Sequence, residues 1–407
     1  MPSISSALVI GGGIAGPVTA TALRLAGVDA HVVEAYPDAD SGAGGSLALA
    51  ANGQTALDVL GLGDAVRAIG IPIAHSRMTV GTKDLGALPS IAGVEPMRMV
   101  RRGQLQRVLH DGAVRAGATY SYGRRLVRVE GAASGVTAIF DDGGTESADV
   151  IIGADGARST IRSIIDPAAP GPHYTGLLSF EGRADAGLSG ARVPGAEADF
   201  DGMTFAFGSR AYYLYWPEPD DTIVWGANLP SKAYLSLTDA RKTPNEEWLR
   251  ILRATYAGDR PGERLVESTT VEGLDATGAI HIMPSVPNWH RDRLVLVGDA
   301  VHAPSNSTGQ GASLAIESAI ELARALRDAP DPTSAFAAYE RARRPRVEAI
   351  TRRGARVNST KNPGPMAQRM MGVVMPLMMR FMDFEKTMGP EQRFRIDWEQ
   401  PFPLGSR

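Results

Sequence analysis

The chain has 407 residues, 43% of them hydrophobic, and a formal net charge of −3 at pH 7. This length exceeds that of one typical core and predicts two domains, and the charge argues against a general polyanion-binding role. The absence of cysteine excludes disulfides, thiolate nucleophiles and cysteine-ligated metals, and suits a reducing cytosol. The seven histidines show no metal-ligand spacing. A cytoplasmic protein without a bound metal is therefore expected.

The first segment of the chain predicts a nucleotide-binding βαβ unit. Residues 7–10 are all apolar, which is typical of a parallel strand that is covered on both faces. The glycines that follow have a bare backbone, which lets a pyrophosphate approach the positive end of the next helix. No basic stretch precedes the apolar run, so a strand is predicted and not a signal peptide. The residues predicted to contact the phosphates are Gly11, Gly13, Ile14, Ala15 and Gly16.

The second strand of this unit ends at Glu34-Ala35. Glu34 lies about 20 residues after the glycines, which is the spacing of an acidic residue that accepts hydrogen bonds from a ribose. A glycine-rich turn in some other α/β protein is the alternative. Nucleotide binding is favoured because strand, glycines, helix, strand and acid occur in the order that it requires.

The middle of the chain predicts a second sheet that is inserted into the first domain. Residues 71–97 become strand-like and leave the first domain, and an amphipathic helix over 101–116 returns to it. Residues 172–287 contain alternating strands. The predicted fold is α/β, with a Rossmann-like domain, an inserted, mainly antiparallel β-sheet substrate domain, and C-terminal helices. The predicted boundaries are 1–70, 98–171 and 288–345 for the Rossmann-like domain, 71–97 and 172–287 for the inserted sheet, and 346–407 for the C-terminal helical region.

Aromatic residues alternate along one predicted strand of the inserted sheet. The alternation places Tyr213 and Tyr215 on one face and Tyr212, Leu214 and Trp216 on the other. The sequence leaves open which of the two faces meets a ligand.

A later buried strand also ends at an acidic residue. The apolar run at 294–297 is followed by Gly298-Asp299, so Asp299 is expected at the carboxyl edge of the parallel sheet, where α/β folds bind ligands. Its carboxylate can accept hydrogen bonds from a polyol. The sequence Thr308-Gly309-Gln310-Gly311 then opens the next helix, and its N–H groups can stabilise negative charge.

Three motifs in this order resemble the signatures of class A FAD-dependent monooxygenases, the aromatic hydroxylases of the para-hydroxybenzoate hydroxylase type. They are Gly11-Gly12-Gly13-Ile14-Ala15-Gly16, Gly153-Ala154-Asp155-Gly156-Ala157-Arg158-Ser159 and Gly298-Asp299-Ala300-Val301-His302. The resemblance covers nearly the whole chain and implies non-covalent FAD, with NAD(P)H and O2 as co-substrates. It also implies that a flavin C4a-hydroperoxide inserts one oxygen atom into an electron-rich substrate.

The resemblance further implies roles for single residues. Arg102 opens an Arg-x-x-Leu helix start beside the flavin, and Leu126 lies on a strand whose backbone meets the adenine. Arg158 and Arg162 are candidates for binding the phosphates of NAD(P)H, with a solvated surface position as the alternative. The other positions that match the family's FAD contacts are Gly44, Gly45, Asn52, Asp155, Gly156, Asp299, Gly309, Gln310, Gly311 and Ala312.

The sequence assigns no catalytic residue. His302 is a candidate acid or base at the flavin edge, but a structural imidazole is favoured. Asn306 stands where many of these enzymes have a proline beside the flavin. The remaining candidates are Tyr213, Tyr215 and Trp225, which suit an apolar cavity that keeps water out.

Eight of the 14 methionines lie between Met366 and Met388. Pro376 and Arg380 interrupt the apolar run, so a membrane span is not expected. We predict a C-terminal helix that packs its methionines on the domain below it. An interfacial helix and an adaptable lining for a bulky apolar substrate are the alternatives.

The predicted function is monooxygenation of a bulky, mostly apolar aromatic compound, such as a phenol, an indole or a polyketide-like molecule of secondary metabolism. Epoxidation of an electron-rich alkene stays open, as does hydride transfer by a flavin-dependent reductase of the saturase type. The non-enzymatic alternative is a carrier of the same fold, and a halogenase is disfavoured because its Trp-x-Trp-x-Ile-Pro element is absent. A monomer or homodimer without a nucleic-acid partner is expected.

Overall fold

The structure is a computed structural model that describes residues 4–38, 44–81, 83–132, 135–185, 201–359, 370, 374–375 and 383–404. The strands are β1 (Ser6–Ile10), β2 (Asp29–Val33), β3 (Ser46–Leu49), β4 (Ile71–Ile73), β5 (His75–Val80), β6 (Lys83–Ala87), β7 (Met97–Arg101), β8 (Thr119–Ser121), β9 (Leu126–Ala132), β10 (Gly135–Phe140), β11 (Thr145–Ala148), β12 (Val150–Gly153), β13 (His173–Asp185), β14 (Gly202–Phe207), β15 (Tyr212–Pro217), β16 (Thr222–Pro230), β17 (Thr269–Ile282), β18 (His290–Arg291) and β19 (Leu294–Leu296). The helices are α1 (Ala15–Leu25), α2 (Ala51–Asp58), α3 (Gly63–Ile69), α4 (Arg102–Arg115), α5 (Thr160–Ile165), α6 (Leu237–Lys242), α7 (Asn245–Tyr256), α8 (Gly262–Glu267), α9 (Gly311–Asp328), α10 (Pro332–Ser359) and α11 (Phe384–Gln392), with 3₁₀ turns at Gly298–Ala300 and Asn306–Thr308.

The first domain is built on a six-stranded sheet in the order β18-β19-β12-β1-β2-β8. β1 pairs in parallel with both β12 and β2, and the hairpin β18-β19 at one edge is antiparallel. The apolar residues of β1, β12 and β19 are buried, as expected for strands that are covered on both faces. This arrangement confirms the predicted Rossmann-like domain.

The second domain is a seven-stranded sheet in the order β17-β13-β16-β15-β14-β5-β6. Its pairings are antiparallel apart from the parallel pair β14-β5. The mainly antiparallel inserted sheet is thereby confirmed. β3, β7 and β4 form a separate small sheet between the two large ones, and the exact domain boundaries stay predictions.

One face of the seven-stranded sheet is buried under α7 and α8. On this face Tyr213 accepts a hydrogen bond from the Gly262 N–H (3.2 Å), and the Trp225 indole donates to the Thr269 hydroxyl (2.9 Å). Tyr215 is fully buried in the same cluster. The three aromatic residues that the sequence offered as catalytic candidates are therefore core residues, because strand alternation turns them away from the first domain.

The opposite face of this sheet is directed towards the first domain, and we call it the inner face. Here Trp216 belongs to a cluster with Met99 of β7, and Ala48 of β3 packs against that cluster. Strand register places Leu214 beside Phe205. The side chains of the inner face on the three central strands are Met203, Phe205, Phe207, Tyr212, Leu214, Trp216, Val224 and Asn228.

The methionine-rich segment reaches the inner face at one described position. Met375 packs against the cluster that contains Phe207 and Tyr212, whereas Met370 is 60% exposed. Met388 lies in α11, and the other methionines between 366 and 388 lie outside the described residues. Whether the segment packs on the domain or lines a substrate cavity stays a prediction. Within the described ranges, no helix is long and apolar enough to span a bilayer.

Candidate active site

The glycine loop after β1 is held by contacts that a side chain would block. Gly11 has φ +107°, and a Cβ there would stand 2.5 Å from the Ala154 carbonyl oxygen. A Cβ on Gly16 would stand 1.9 Å from the Gly11 carbonyl oxygen. A Cβ on Gly13 would have no atom of the described residues within 4 Å beyond its chain neighbours. The loop is therefore closely packed at its two ends and open in the middle, at the N-terminus of α1.

Glu34 lies beside this loop at the end of β2. Its Oε2 accepts a hydrogen bond from the Gly12 N–H (2.6 Å), and its Oε1 accepts one from the Tyr36 N–H (2.9 Å). The Arg124 N–H donates to the Glu34 carbonyl (3.1 Å), so the chain that leads to Leu126 passes the same point. The structure thus brings the acidic residue and the start of β9 to one end of the loop.

The second motif places Asp155 at the N-terminus of α5. Its Oδ2 accepts hydrogen bonds from the Thr160 N–H (2.7 Å) and the Ile161 N–H (3.1 Å). Its Oδ1 is buried and has no partner in the described part of the chain. Burial raises the pKa of this carboxyl group, and these N–H groups act in the opposite direction. Asp155 therefore caps a helix with one oxygen and offers the other as an acceptor.

The two arginines of this motif have different environments. Arg162 is buried and donates to the carbonyls of Ala300 and Ala157 (2.8 Å each), so it ties the second motif to the third. Arg158 is exposed and donates to the Tyr234 hydroxyl. The pKa of His281 is lowered by the burial of its ring and, to a smaller extent, by the positive charge of Arg158. The solvated surface position is therefore wrong for Arg162, whose guanidinium is buried and bound to backbone carbonyls.

The third motif packs against the start of α1. Gly298 has φ +63°, and a Cβ there would stand 2.8 Å from the Ala15 Cβ. The next residue, Asp299, follows the end of β19 at the carboxyl edge of the parallel sheet. Burial raises the pKa of Asp299, and the nearby Arg102 guanidinium opposes this shift. Asp299 and Arg102, which are far apart in the sequence, therefore belong to one site.

The turn before α9 is held from below by a buried amide. Gly309 has φ +62°, and a Cβ there would contact the Ala48 Cβ at 3.7 Å, so the turn lies beside β3. The Asn52 Nδ2 donates to the Gln310 Oε1 (2.9 Å). A Cβ on Gly311 would meet no other segment of the described chain within 4 Å, which leaves the first N–H groups of α9 approachable.

A buried ionic cluster lies directly under this turn. Glu317 of α9 pairs with Arg343 (2.6 Å) and Arg346 (2.8 Å) of α10, and Asn52 donates to it (2.6 Å). Burial favours the neutral form of Glu317, but the two arginines and Asn52 hold its pKa below the usual range. The sequence-based predictions did not include this cluster, although acidic residues in a predicted apolar stretch of helix, here Glu317 and Glu321, are a visible signal.

His302 is buried against α9. It is 3% exposed, and its Nε2 lies 2.9 Å from the Ser318 hydroxyl. Burial, assisted by the positive charge of Arg343, lowers its pKa to about 3. The imidazole is therefore neutral at physiological pH, which favours the structural alternative. Asn306, in contrast, is exposed in its 3₁₀ turn.

The comparison with protein families decides the class of this site. The family model of the FAD binding domain matches residues 5–192 and 267–354, which is more than half of the chain. The chain belongs to this family and is a class A FAD-dependent monooxygenase. The resemblance that the three motifs indicate is thereby confirmed.

Individual relatives of this monooxygenase agree with the family. It is 29% identical to the FAD-dependent urate hydroxylase of Mycolicibacterium vanbaalenii, over 88% of this chain and 89% of the relative. It is 30% identical to the 3-amino-4-hydroxybenzoate 2-monooxygenase PtnB3 of Streptomyces platensis, over 98% and 97% of the two chains. HpxO of Klebsiella pneumoniae, solved with FAD and uric acid, has the same fold, with a TM-score of 0.80 at 24% identity over 95% and 96% of the chains.

The residues of the monooxygenase site fit FAD on three independent observations. Asp155 has a buried acceptor atom without a partner among the described residues. The backbone is open at Gly13 and Gly311, each at the N-terminal end of a helix. Asp299 adds a carboxylate that interacts with the nearby Arg102 cation. Helix N-termini suit the anionic pyrophosphate and the electron-rich flavin edge, and the carboxylates suit hydroxyl groups.

Because the pKa of His302 is low in the folded chain, the free energy of unfolding is expected to decrease at acidic pH. Below its unfolded-state pKa of about 6.5, the unfolded chain binds a proton that the folded chain does not, so the free energy of unfolding must fall as the pH falls. Between pH 7 and pH 5 this loss is about 2 kcal/mol, and a His302→Gln variant should not show it. Urea unfolding of both proteins at pH 7, 6 and 5 measures the difference. Equal pH slopes would show that His302 is not held neutral.

Proposed function

We propose that this monooxygenase inserts one oxygen atom from O2 into an electron-rich carbon of a bulky, mostly apolar aromatic compound, with NAD(P)H as the reductant. The observation that carries the proposal is the inner face, whose central strands present uncharged side chains towards the first domain. Phe205 and Leu214 lie next to each other there, and both pack against the cluster that contains Met99 and Trp216. Such a surface binds a flat apolar molecule and excludes water from it.

In this proposal FAD extends along the carboxyl edge of the parallel sheet. The pyrophosphate lies at the glycine loop, the ribose at Glu34, the ribityl chain at Asp299 and the ring beside the turn before α9. When bound, FAD supplies the transfer of electrons and the activation of O2. The residues proposed to hold it are Gly11, Gly13, Ile14, Ala15, Gly16, Glu34, Ala35, Gly45, Arg102, Leu126, Asp155, Gly156, Asp299, Gly309, Gln310, Gly311 and Ala312.

The N-terminus of α9 is proposed to stabilise negative charge on the pyrimidine edge of the reduced cofactor. The free N–H groups at Gly311 and Ala312 carry the positive end of the helix dipole. The position of this helix end is supported by Asn52, which bridges Gln310 and Glu317. Since all three of these side chains are buried, the donors are held in place before the cofactor binds.

The inner face is proposed to orient the substrate mainly by shape. On its central strands Tyr212 and Asn228 face each other in strand register and are polar groups among mostly apolar side chains. Burial raises the pKa of the Tyr212 phenol, so it remains a neutral hydroxyl at physiological pH. A hydroxyl or amide on an otherwise apolar surface selects a substrate with one or a few polar groups, and it does not select a highly charged one.

The cofactor placement predicts that Asp299→Ala weakens FAD binding. Loss of a hydrogen bond to a charged group costs about 1.5–3 kcal/mol, which corresponds to about a 10- to 100-fold rise in the dissociation constant. Titration of the apoprotein with FAD, followed by flavin fluorescence, measures this constant. Asp292→Asn is the control, because that carboxylate is exposed on the preceding hairpin and should leave the constant unchanged. An unchanged constant in Asp299→Ala would contradict the placement.

The reaction type is tested with labelled oxygen. Purified protein with FAD, NAD(P)H and ¹⁸O2 should convert an accepted aromatic compound to a product that carries one ¹⁸O atom, and a bulky alkene can be assayed in parallel for an epoxide. Product formed without O2 and without label would instead support the reductase. Protein that binds no FAD and forms no product would support the carrier.

The inner face predicts opposite outcomes for two neighbouring residues of β15. Leu214→Ala removes apolar contact from the proposed substrate surface and should raise KM about tenfold, together with the share of NAD(P)H consumed without product. Tyr213→Phe changes the face that is covered by α7 and α8, and its KM should stay within about twofold. Steady-state assays of both variants test this. The reverse pattern would place the substrate on the other face.

Arg158 is proposed to bind the phosphates of NAD(P)H, since it is exposed and carries a guanidinium beside the second motif. Arg158→Ala should raise the NAD(P)H concentration that half-saturates flavin reduction about tenfold. Anaerobic rapid mixing measures flavin reduction directly, without the oxygen step. Arg210→Ala is the control, because this exposed arginine binds the carbonyls of Thr255 and Ala257 far from the motif. Equal half-saturation in the two variants would remove Arg158 from the nucleotide site.

A further inference from the structure

Glu181 is a carboxylate on the second strand of the seven-stranded sheet, and it points away from the core under α7 and α8. It lies on β13, and strand register pairs it with Gly226 and Asp275. The residues before and after it face the other way: Phe180 packs against Trp248, with ring centroids 4.9 Å apart, and a Cβ on Gly182 would enter the Trp225 ring. Alternation therefore directs Glu181 towards the first domain, on the same side of the sheet as the inner face.

The Glu181 carboxylate binds one residue of the first domain with both of its oxygens. The Ser46 N–H donates to Oε2 (2.6 Å), and the Ser46 hydroxyl donates to Oε1 (3.1 Å). These bonds connect positions 135 residues apart in the chain. A short hydrogen bond from a backbone N–H to a carboxylate is among the stronger single contacts in a protein.

The segment that Glu181 binds is also part of the proposed FAD site. The Gly45 carbonyl accepts a hydrogen bond from the Arg102 N–H (3.2 Å), and a Cβ on Gly44 would stand 3.2 Å from the Arg102 Cδ. A Cβ on Gly45 would stand 2.9 Å from the Glu181 Oε2, so only glycine admits the carboxylate at this distance. The segment 44–46 is thus fixed between the seven-stranded sheet on one side and the start of α4 on the other.

The environment of Glu181 agrees with a structural contact that is made before any ligand binds. Burial raises the pKa of its carboxyl group, the two bonds from Ser46 and the charge of Arg101 oppose the shift, and Asp275 adds to it. Arg101 itself pairs with Glu218 (3.2 Å). Glu181 therefore depends on Ser46, and not on a direct ion pair, for its partners among the described residues.

We propose that Glu181 is a positioning residue, which fixes the Gly44–Ser46 segment of the FAD site to the sheet that forms the inner face. The inference rests on the proposed placement of FAD at Gly45 and Arg102. Through this contact the cofactor segment and the substrate surface keep one relative position, although they belong to different domains. What the contact requires is the reach of the side chain to the Ser46 N–H and an acceptor oxygen at its end; the negative charge itself is not required.

Three substitutions of Glu181 distinguish the effect of side-chain length from the effect of the negative charge. Glu181→Ala removes the acceptor, and Glu181→Asp keeps the charge but is one methylene too short. Both should raise the FAD dissociation constant about 10- to 100-fold. Glu181→Gln keeps the length, its Oε1 can accept from the Ser46 N–H, and its amide can donate to the Ser46 hydroxyl. This variant should bind FAD within about threefold of the unchanged protein. Fluorescence titration of each apoprotein measures the constant.

Asp275→Asn is the matched control, because this carboxylate lies opposite Glu181 in the register and pairs with Arg241, outside the FAD segment. It should leave the constant unchanged. Circular dichroism of the apoproteins shows which variants are folded, and rescue by glutamine but not by aspartate distinguishes positioning from a general loss of stability. Normal binding in Glu181→Asp or Glu181→Ala, or binding in Glu181→Gln as weak as in Glu181→Ala, would overturn the inference. Absence of FAD binding in the unchanged protein would instead overturn the proposed function.

Discussion

The whole site depends on the close packing of backbone at the carboxyl edge of the parallel sheet. Gly11 lies against the Ala154 carbonyl, Gly16 lies against Gly11, and Gly298 lies against Ala15. In each contact a methyl group would overlap an atom that cannot move aside, because the neighbour is backbone or a helix start. Three segments that are more than a hundred residues apart in the chain therefore meet within one small region. The helix ends, the carboxylates and Arg102 are brought together as a consequence of this packing.

A buried ionic cluster of Glu317, Arg343 and Arg346 lies under the turn before α9 and holds it in place. An ion pair in the interior is a weak source of stability, since the desolvation of both charges offsets most of their attraction. What the cluster provides is a defined geometry: Glu317 binds Arg343, Arg346 and Asn52 together, and Asn52 extends the network to Gln310. Replacement of Glu317 would leave the two arginines without the carboxylate that neutralises them, so this position tolerates little change. The rigid turn is the part of the protein that the proposal places beside the flavin ring.

Strand alternation divides the aromatic residues of the seven-stranded sheet into two sets that lie on opposite faces. Tyr213, Tyr215 and Trp225 fill the core under α7 and α8, whereas Tyr212, Leu214 and Trp216 face the first domain. Met375 reaches the second group, so the C-terminal region contributes to the covering of the inner face. A pairing register shifted by one residue would exchange the two sets, which is why a buried face on each side specifies this register strongly. The proposed substrate surface thus results from the way the two faces of the sheet are covered.

The sequence alone determined the nucleotide-binding unit, the α/β fold with an inserted sheet, and the family, because each depends on a local pattern. The glycines before a helix are required by backbone geometry and the acid after a buried strand by ribose recognition, and each is visible in one short segment. Tertiary structure alone decided which face of the inserted sheet is core, that Arg162 is buried against the Ala300 carbonyl, and that Glu181 binds Ser46. These properties depend on what another part of the chain places opposite a residue. Sequence alternation shows which side chains share a face of a strand, but only tertiary packing decides which of the two faces is buried in the core.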